Sequence, residues 1–416
     1  MRLSITPSKL QGSLTIPSSK SHSIRALIFA LLAKGQSTIH NLLLSADVEK
    51  TLLACELLGA TINRQEGYVE MRGGDLIARG LIDVGNSGLA YRLFTAIAAL
   101  AEHPITITGD ISIQSQRPIL PLVDALRQLG VTILTERAPL TICGPMHPGM
   151  TIVEGEDSQF VSALLIAAAF ASGPTEIFVL KPGELPWVKL TLDWLKRLNI
   201  PVESDHFTYF KLKGKAKLGG FSYTVPGDYS TSAFPIASAL LSNSEITIHN
   251  LDANDTQGDK KLIDHLKRMG ANIEWGLTSV TVKPGGKLQG CTIDVNEIID
   301  ATPILAVIAC FAEGTTKLVN AQIARTKECD RLSSITTELR KMGATIEEHE
   351  DALIIHPSPL HGAALNAHAD HRMGMALTVA ALAAKGNSSV DGSESIAKTY
   401  PTFVEHFRKL GAKIEC

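Results

Sequence analysis

Aromatic residues are scarce: Phe, Trp and Tyr make up 5% of 416 residues, while 45% are hydrophobic. A surface that stacks single-stranded nucleic acid needs aromatic platforms, so that class is disfavoured and the core has to be aliphatic. An excess of charge of one sign is also missing. Lys+Arg 39 against Asp+Glu 42 leaves a net charge of −3, which supplies no field to draw in DNA, RNA or an anionic membrane. The longest apolar runs, Ala163 to Ala171 and Met375 to Ala384, fall short of the ~20 residues that span a bilayer. The N-terminal residues carry no apolar signal core, and the six cysteines form no Cys-x-x-Cys pair. Reduced thiols in a cytoplasmic protein are expected. No Gly-x-x-x-x-Gly-Lys-Ser/Thr loop is present, and Gly85-Asn86-Ser87-Gly88 does not match the dinucleotide fingerprint, so neither kind of nucleotide site is expected. His368 and His371 lack a third ligand at helical spacing, and no metal is expected.

What is there is a repeat. An amphipathic stretch closes in Leu/Met-Gly-Ala/Val and runs into a short strand at Leu58-Gly59-Ala60, Leu129-Gly130-Val131, Leu198-Asn199-Ile200, Met269-Gly270-Ala271, Met342-Gly343-Ala344 and Leu410-Gly411-Ala412. The intervals are 68 to 73 residues. Asn and Gly both tolerate the left-handed conformation that ends a helix, so the third copy fits the same cap. Each copy also contains an Ala-rich segment apolar on nearly all sides: Ala26–Ala33, Tyr91–Ala101, Phe160–Ala171, Ala233–Leu241, Pro303–Ala312 and Met373–Ala384. A helix apolar all round is a buried helix. Each unit therefore reads β-α-β-α-β-β, with one buried and one surface helix. The last copy breaks off one strand short of its hairpin, and the N-terminal strand Leu3 to Ile5 is expected to complete it. Three units form each of two domains, residues 1–18 plus 227–416 and residues 19–226, with the ligand site expected in the cleft between them.

The residues before the buried helices are rich in capping types: Ser19, Ser87, Asp157-Ser158, Asp228, Asp300 and Asp370. Capping alone accounts for most of them. It does not account for Lys20, Arg25, Arg92 and Arg372, because cations at a helix N-terminus oppose the macrodipole unless an anion is present. Helix N-termini with added Lys and Arg form an anion receptacle. Two further basic clusters are Gln116-Arg117-Pro118 and Arg325-Thr326-Lys327-Glu328-Cys329-Asp330-Arg331; taken alone, the second reads as a solvated charge run.

The repeat plan together with Ser19-Lys20-Ser21, Arg25, Gly85-Asn86-Ser87-Gly88, Arg92, Arg117-Pro118, Asp157-Ser158-Gln159, Gly227-Asp228, Asp300, Lys327-Glu328, Asp330-Arg331, Asp370-His371-Arg372-Met373 and Ala397-Lys398-Thr399 resembles the 5-enolpyruvylshikimate-3-phosphate synthase family. The resemblance covers essentially the whole chain. It implies an α/β fold of two inverted α/β barrels, helices inside and sheets outside, and an enolpyruvyl transfer from phosphoenolpyruvate to the 5-hydroxyl of shikimate 3-phosphate. It further implies that Lys20, Ser21, Arg25, Ser158, Gln159, Asp300 and Lys327 hold shikimate 3-phosphate. Phosphoenolpyruvate falls to Lys20, Gly88, Arg117, Gln159, Arg331, Arg372 and Lys398, with Asn86, Arg92 and His371 in support. Asp300 matches the base for the hydroxyl, and Glu328, with Lys20, the proton donor to the methylene. No metal or organic cofactor is implied, and a monomer acting on small molecules, away from nucleic acid and membrane, is expected.

Some positions depart from the commonest family pattern. Leu89 stands for Thr, Leu93 for Pro and Ile323 for Asn, while Asp157 and Glu184 stand where serines often contact the shikimate phosphate. The chlamydial branch shares part of this pattern. Two carboxylates near a phosphate repel it unless they point away or pair with a cation. UDP-N-acetylglucosamine enolpyruvyl transferase shares the implied fold, but typically carries a loop cysteine that Gly109 to Arg117 lacks. A non-catalytic ligand-binding homologue is disfavoured by the retained Lys20, Asp300 and Glu328, and an RNA-end-modifying enzyme by the net charge.

Overall fold

Six helices rich in alanine and aliphatic side chains are almost wholly removed from solvent. Eleven of the thirteen residues of Ser158–Phe170 are buried, as are nine of the ten of Thr302–Phe311. Such helices have no polar face to turn outward, so other elements must surround them. The computed structural model describes residues 1–77 and 80–416. They divide into two compact units, Ser19–Val225 and Met1–Ser18 with Pro226–Cys416, each with its own aliphatic core.

In Ser19–Val225 the buried helices are Lys20–Leu32, Gly88–Ala98 and Ser158–Phe170. Three four-stranded sheets belong to this unit. In the third, Gly149–Glu154 runs parallel to Thr175–Leu180, and the hairpin Glu203–Asp205 and Tyr209–Leu212 continues the sheet on the other side. The strands alternate buried and exposed residues, which is the pattern of a sheet with one face on the core. Surface helices Ala46–Leu57, Leu120–Gln128 and Leu185–Arg197 complete the repeats.

The other unit has buried helices Tyr229–Leu241, Thr302–Phe311 and His371–Ala383 and three more four-stranded sheets. Arg2–Thr6 lies between Ser388–Asp391 and Lys413–Glu415, antiparallel to both, so the N-terminal strand fills the place that a hairpin strand takes elsewhere. Its Leu3 and Ile5 are buried.

The six repeat positions have positive φ: 96° at Gly59, 80° at Gly130, 56° at Asn199, 101° at Gly270, 93° at Gly343 and 106° at Gly411. The left-handed turn ends each surface helix and aims the chain into the next strand. A contiguous reading of the repeats needs amendment at two places. Gly12–Thr15, which precedes the first buried helix in sequence, pairs with Ile246–His249 of the fourth repeat. Ser222–Thr224, which precedes the fourth buried helix, pairs with Gln36–His40 of the first. The leading strands of these two repeats are exchanged. Strands of similar length and alternation give no sequence signal for which sheet they join.

Candidate active site

The starts of the buried helices gather the charged residues. At the first, Ser19 is the N-cap and accepts from the His22 amide. Lys20 Nζ lies 3.4 Å from Asp47 Oδ2. Arg25 is buried; its Nε donates to Thr191 Oγ1 at 3.0 Å and its Nη1 to the Ser21 carbonyl at 3.2 Å. These are neutral acceptors, and burial pulls the guanidinium pKa down to about 10.

Gly88 opens the second buried helix under two arginines. A Cβ built there would stand 2.2 Å from Arg117 Nη2 and 2.5 Å from Arg92 Nη1. The glycine therefore makes room first for guanidinium groups that converge on this helix start. Arg92 also donates from Nη2 to the Pro118 carbonyl at 2.6 Å and lies 3.7 Å from Asp157 Oδ2. Asn86 Nδ2 donates to Asp110 Oδ2 at 2.6 Å and Ser112 Oγ at 2.7 Å, which fixes the loop before the helix.

At the third helix Asp157 is the N-cap, accepting from the Gln159 amide at 3.0 Å. Glu184 is buried, and its Oε2 accepts from both Ser158 N and Ser158 Oγ, at 3.0 and 2.9 Å. Of the two carboxylates that depart from the family pattern, Asp157 thus faces a cation and Glu184 faces a helix start.

In the other unit, one guanidinium organises three carboxylates. Arg331 donates from Nη1 to Asp300 Oδ1 at 2.6 Å, from Nη2 to Glu328 Oε2 at 2.8 Å and from Nε to Asp370 Oδ2 at 2.8 Å. Lys398 Nζ donates to Glu328 Oε1 at 3.0 Å. Arg372 Nη2 reaches Asp300 Oδ2 at 3.3 Å, while its Nε and Nη1 are buried and have no hydrogen-bond partner among the described residues. Asp370 caps its helix through the Arg372 and Met373 amides, with buried His371 Nδ1 at 3.8 Å. Glu328, Asp370 and His371 are close enough together to hold a cation, but Arg331 already takes that place between the two carboxylates.

The run from Arg325 to Arg331 is therefore not a solvated face. Lys327, Glu328 and Arg331 are all buried. Asp300 also departs from its capping appearance: it lies in the 3-10 turn Asn296–Ala301, and the helix N-cap is Ala301, which has no side-chain cap bond. The Asp300 carboxylate turns to the arginines instead. Burial opposes its ionisation, but Arg372, Arg331 and Lys327 overcome that and hold its pKa well below the usual carboxylate range. Sequence reading gave no role to Asp47, Asp259 or Thr191. Asp259 is buried in the turn Gly258–Lys261, and burial together with the charge of Asp300 pushes its pKa up to about 7, against Arg372 and Ser230. A Gly-Asp pair before a surface helix looks like a turn, and nothing in it signals a carboxylate near Asp300.

The fold places the chain among the enolpyruvyl transferases. The enolpyruvyl transferase NikO from Streptomyces tendae superposes with a TM-score of 0.81 at 19% identity, covering 100% of this chain and 98% of that one. EPSP synthase from Acinetobacter baumannii matches at 0.82 and 27% identity over 100% of both chains. A family model described as EPSP synthase (3-phosphoshikimate 1-carboxyvinyltransferase) matches residues 5–407. The 3-phosphoshikimate 1-carboxyvinyltransferase of Chlamydia caviae is 44% identical, covering 99% of this chain and 94% of its own; that of Ruminiclostridium cellulolyticum is 40% identical over 100% of both. The chain belongs to the EPSP synthase family. Among the described residues, no helix is long and apolar enough to cross a membrane.

Proposed function

We propose that this chain transfers the enolpyruvyl group of phosphoenolpyruvate to the 5-hydroxyl of shikimate 3-phosphate and releases inorganic phosphate. The observation that carries the reading is Arg372, whose two unsatisfied, buried N–H donors lie on the guanidinium that also holds Asp300. Buried donors of this kind call for an anionic partner. Arg331, Arg372, Lys398, Arg117 and Lys20 hold the phosphate and carboxylate of phosphoenolpyruvate, with Gly88 and Gln159 against it. Lys20, Ser21, Arg25, Ser158, Gln159 and Lys327 hold shikimate 3-phosphate, with Asp300 at its hydroxyl. Asn86, Arg92 and His371 fix the surroundings.

In this scheme Asp300 takes the 5-hydroxyl proton as the oxygen attacks C2, and Glu328, in its acid form once phosphoenolpyruvate has drawn Arg331 and Lys398 off its oxygens, gives a proton to C3. The tetrahedral intermediate then collapses: C3 returns its proton to Glu328, the C2–O bond to phosphate breaks, and the hydroxyl proton leaves with the phosphate. Atoms balance without a further reactant. A carboxylate ringed by cations is a weak base, so its environment has to change on binding. Anionic substrates do this by neutralising Arg372, Arg331 and Lys327, the cations that depress Asp300. The arginines next stabilise charge on the intermediate. The same reading takes the enzyme to be a cytoplasmic monomer that binds no nucleic acid.

Phosphate release by the purified protein with shikimate 3-phosphate and phosphoenolpyruvate together tests the assignment. Release only with UDP-N-acetylglucosamine as acceptor would assign the other transferase activity. In Glu328→Gln, turnover is expected to fall at least a thousandfold while both ligands still bind by calorimetry; ordinary turnover would remove Glu328 from the proton-donor role.

A further inference from the structure

Glu184 is a buried carboxylate that the reaction does not use. It stands at the N-cap of helix Leu185–Arg197 yet makes no side-chain cap bond to that helix. Instead it reaches across to Ser158 and takes up both the amide and the hydroxyl at the start of another helix. That helix has its N-cap in Asp157, which takes the Gln159 amide, so Glu184 on Ser158 is a second and separate anion contact at the same helix start. Nor does Glu184 arrive there by drift. Its backbone is left-handed, at φ 45° and ψ 41°, a conformation that strains a non-glycine residue. The preceding Gly183 is clamped: its amide donates to the Gly155 carbonyl at 2.9 Å, and a Cβ would meet the Glu156 carbonyl at 2.5 Å. The fold thus holds a strained residue so that its carboxylate fills an anion position.

A second feature belongs to the same pair of helices. Arg25 is buried against Thr191 of Leu185–Arg197, and Thr191 in turn bonds Ser162 of Ser158–Phe170. Among the described residues the guanidinium donates only to neutral acceptors, and desolvation lowers its pKa. A buried cation of this kind draws in an anion from outside.

We propose that Glu184 is a specificity-determining residue: in the free enzyme its carboxylate stands in for the acceptor's phosphate on Ser158, and acceptor binding exchanges one anion for the other. The inference rests on the reading that Ser158 and Gln159 hold shikimate 3-phosphate. The exchange makes the acceptor compete with a tethered carboxylate, so apparent affinity is set below what the same donors give without it. It also discriminates by charge, because a dianionic phosphate displaces a carboxylate that a neutral group cannot.

The test compares wild type with Glu184→Gln, which keeps shape and removes charge, and Glu184→Gly, which removes the charge and relieves the left-handed strain. Both are expected to lower the KM for shikimate 3-phosphate at least threefold and to lower the inhibition constant of inorganic phosphate against that acceptor in parallel, with the KM for phosphoenolpyruvate unchanged. A purely structural role for Glu184 would move thermal stability and kcat but leave these two constants alone. An unchanged or raised acceptor KM in both variants, in a protein whose wild type turns over, overturns this inference alone. Absence of wild-type turnover overturns the functional reading instead.

Discussion

Asp259 has the clearest consequence for pH among the buried residues. Its carboxyl is raised to about 7, chiefly by burial, against about 4 in an unfolded chain. Between those values the folded protein binds a proton that the unfolded chain lacks. The contribution is fully present below about 4 and is lost as pH rises through about 7. Asp300 acts in the opposite sense: its pKa is depressed, so its contribution is present above about 4 and is lost at more acid pH. Urea unfolding of Asp259→Asn is therefore expected to show less decline in stability between pH 5 and pH 8 than wild type, and a higher midpoint at pH 8. Equal slopes in the two proteins would take Asp259 out of the pH dependence. Residue type alone revealed the caps Asp157, Asp228 and Asp370, since their side chains do accept from the first amides of their helices. It could not reveal Asp300, because a carboxylate's preference between a helix amide and a guanidinium depends on which arginine the fold brings within reach. The same limit applied to Lys327 and Glu328, whose burial follows from packing and not from the charge run they stand in.

The helix ends were legible because their signal is local. The left-handed residue that closes a helix is most often Gly, sometimes Asn, and the recurrence of that choice marks six helix ends before any tertiary contact is known. Asn199 is the informative copy. Its amide donates to the Lys196 carbonyl and the Ile200 amide to the Leu195 carbonyl, which is the bonding of a helix C-terminal turn. Asn199→Gly should keep or slightly raise stability, while Asn199→Ala should lose about 1 kcal/mol or more, from the cost of Cβ in the left-handed region. Urea midpoints with unchanged slopes measure both. If Ala and Gly behave alike at this position, the turn is not what limits it. The exchanged strands mark where local signals stop. Gly12–Thr15 and Ser222–Thr224 have the alternation of any half-buried strand, and their partners lie far away in sequence.

Across the whole molecule, the two units differ in how the chain composes them. Ser19–Val225 is one continuous stretch that contains every strand of its three sheets. The other unit draws two strands from the first 15 residues. Deleting residues 1–6 removes Leu3 and Ile5 from its core and leaves Lys413–Glu415 without its neighbour. Amide hydrogen exchange of that deletion is expected to show lost protection in Ser388–Asp391 and Lys413–Glu415, with protection kept in Thr175–Leu180. Loss spread evenly over both units would show instead that they unfold as one.

The placement of Arg2–Thr6 also sets an order of events during synthesis. This strand is made well before its neighbours Ser388–Asp391 and Lys413–Glu415, which lie some 380 to 410 residues further along the chain. At roughly 5–20 residues per second, translation separates them by about 20 to 80 s. Over that interval Ser19–Val225 has its full set of strands and can close. Residues 1–6 have no sheet to join until Ser388–Asp391 and Lys413–Glu415 have been made. Arg2–Thr6 thus gains its sheet only after residue 413 has been made, and until then Leu3 and Ile5 stay uncovered on the nascent chain.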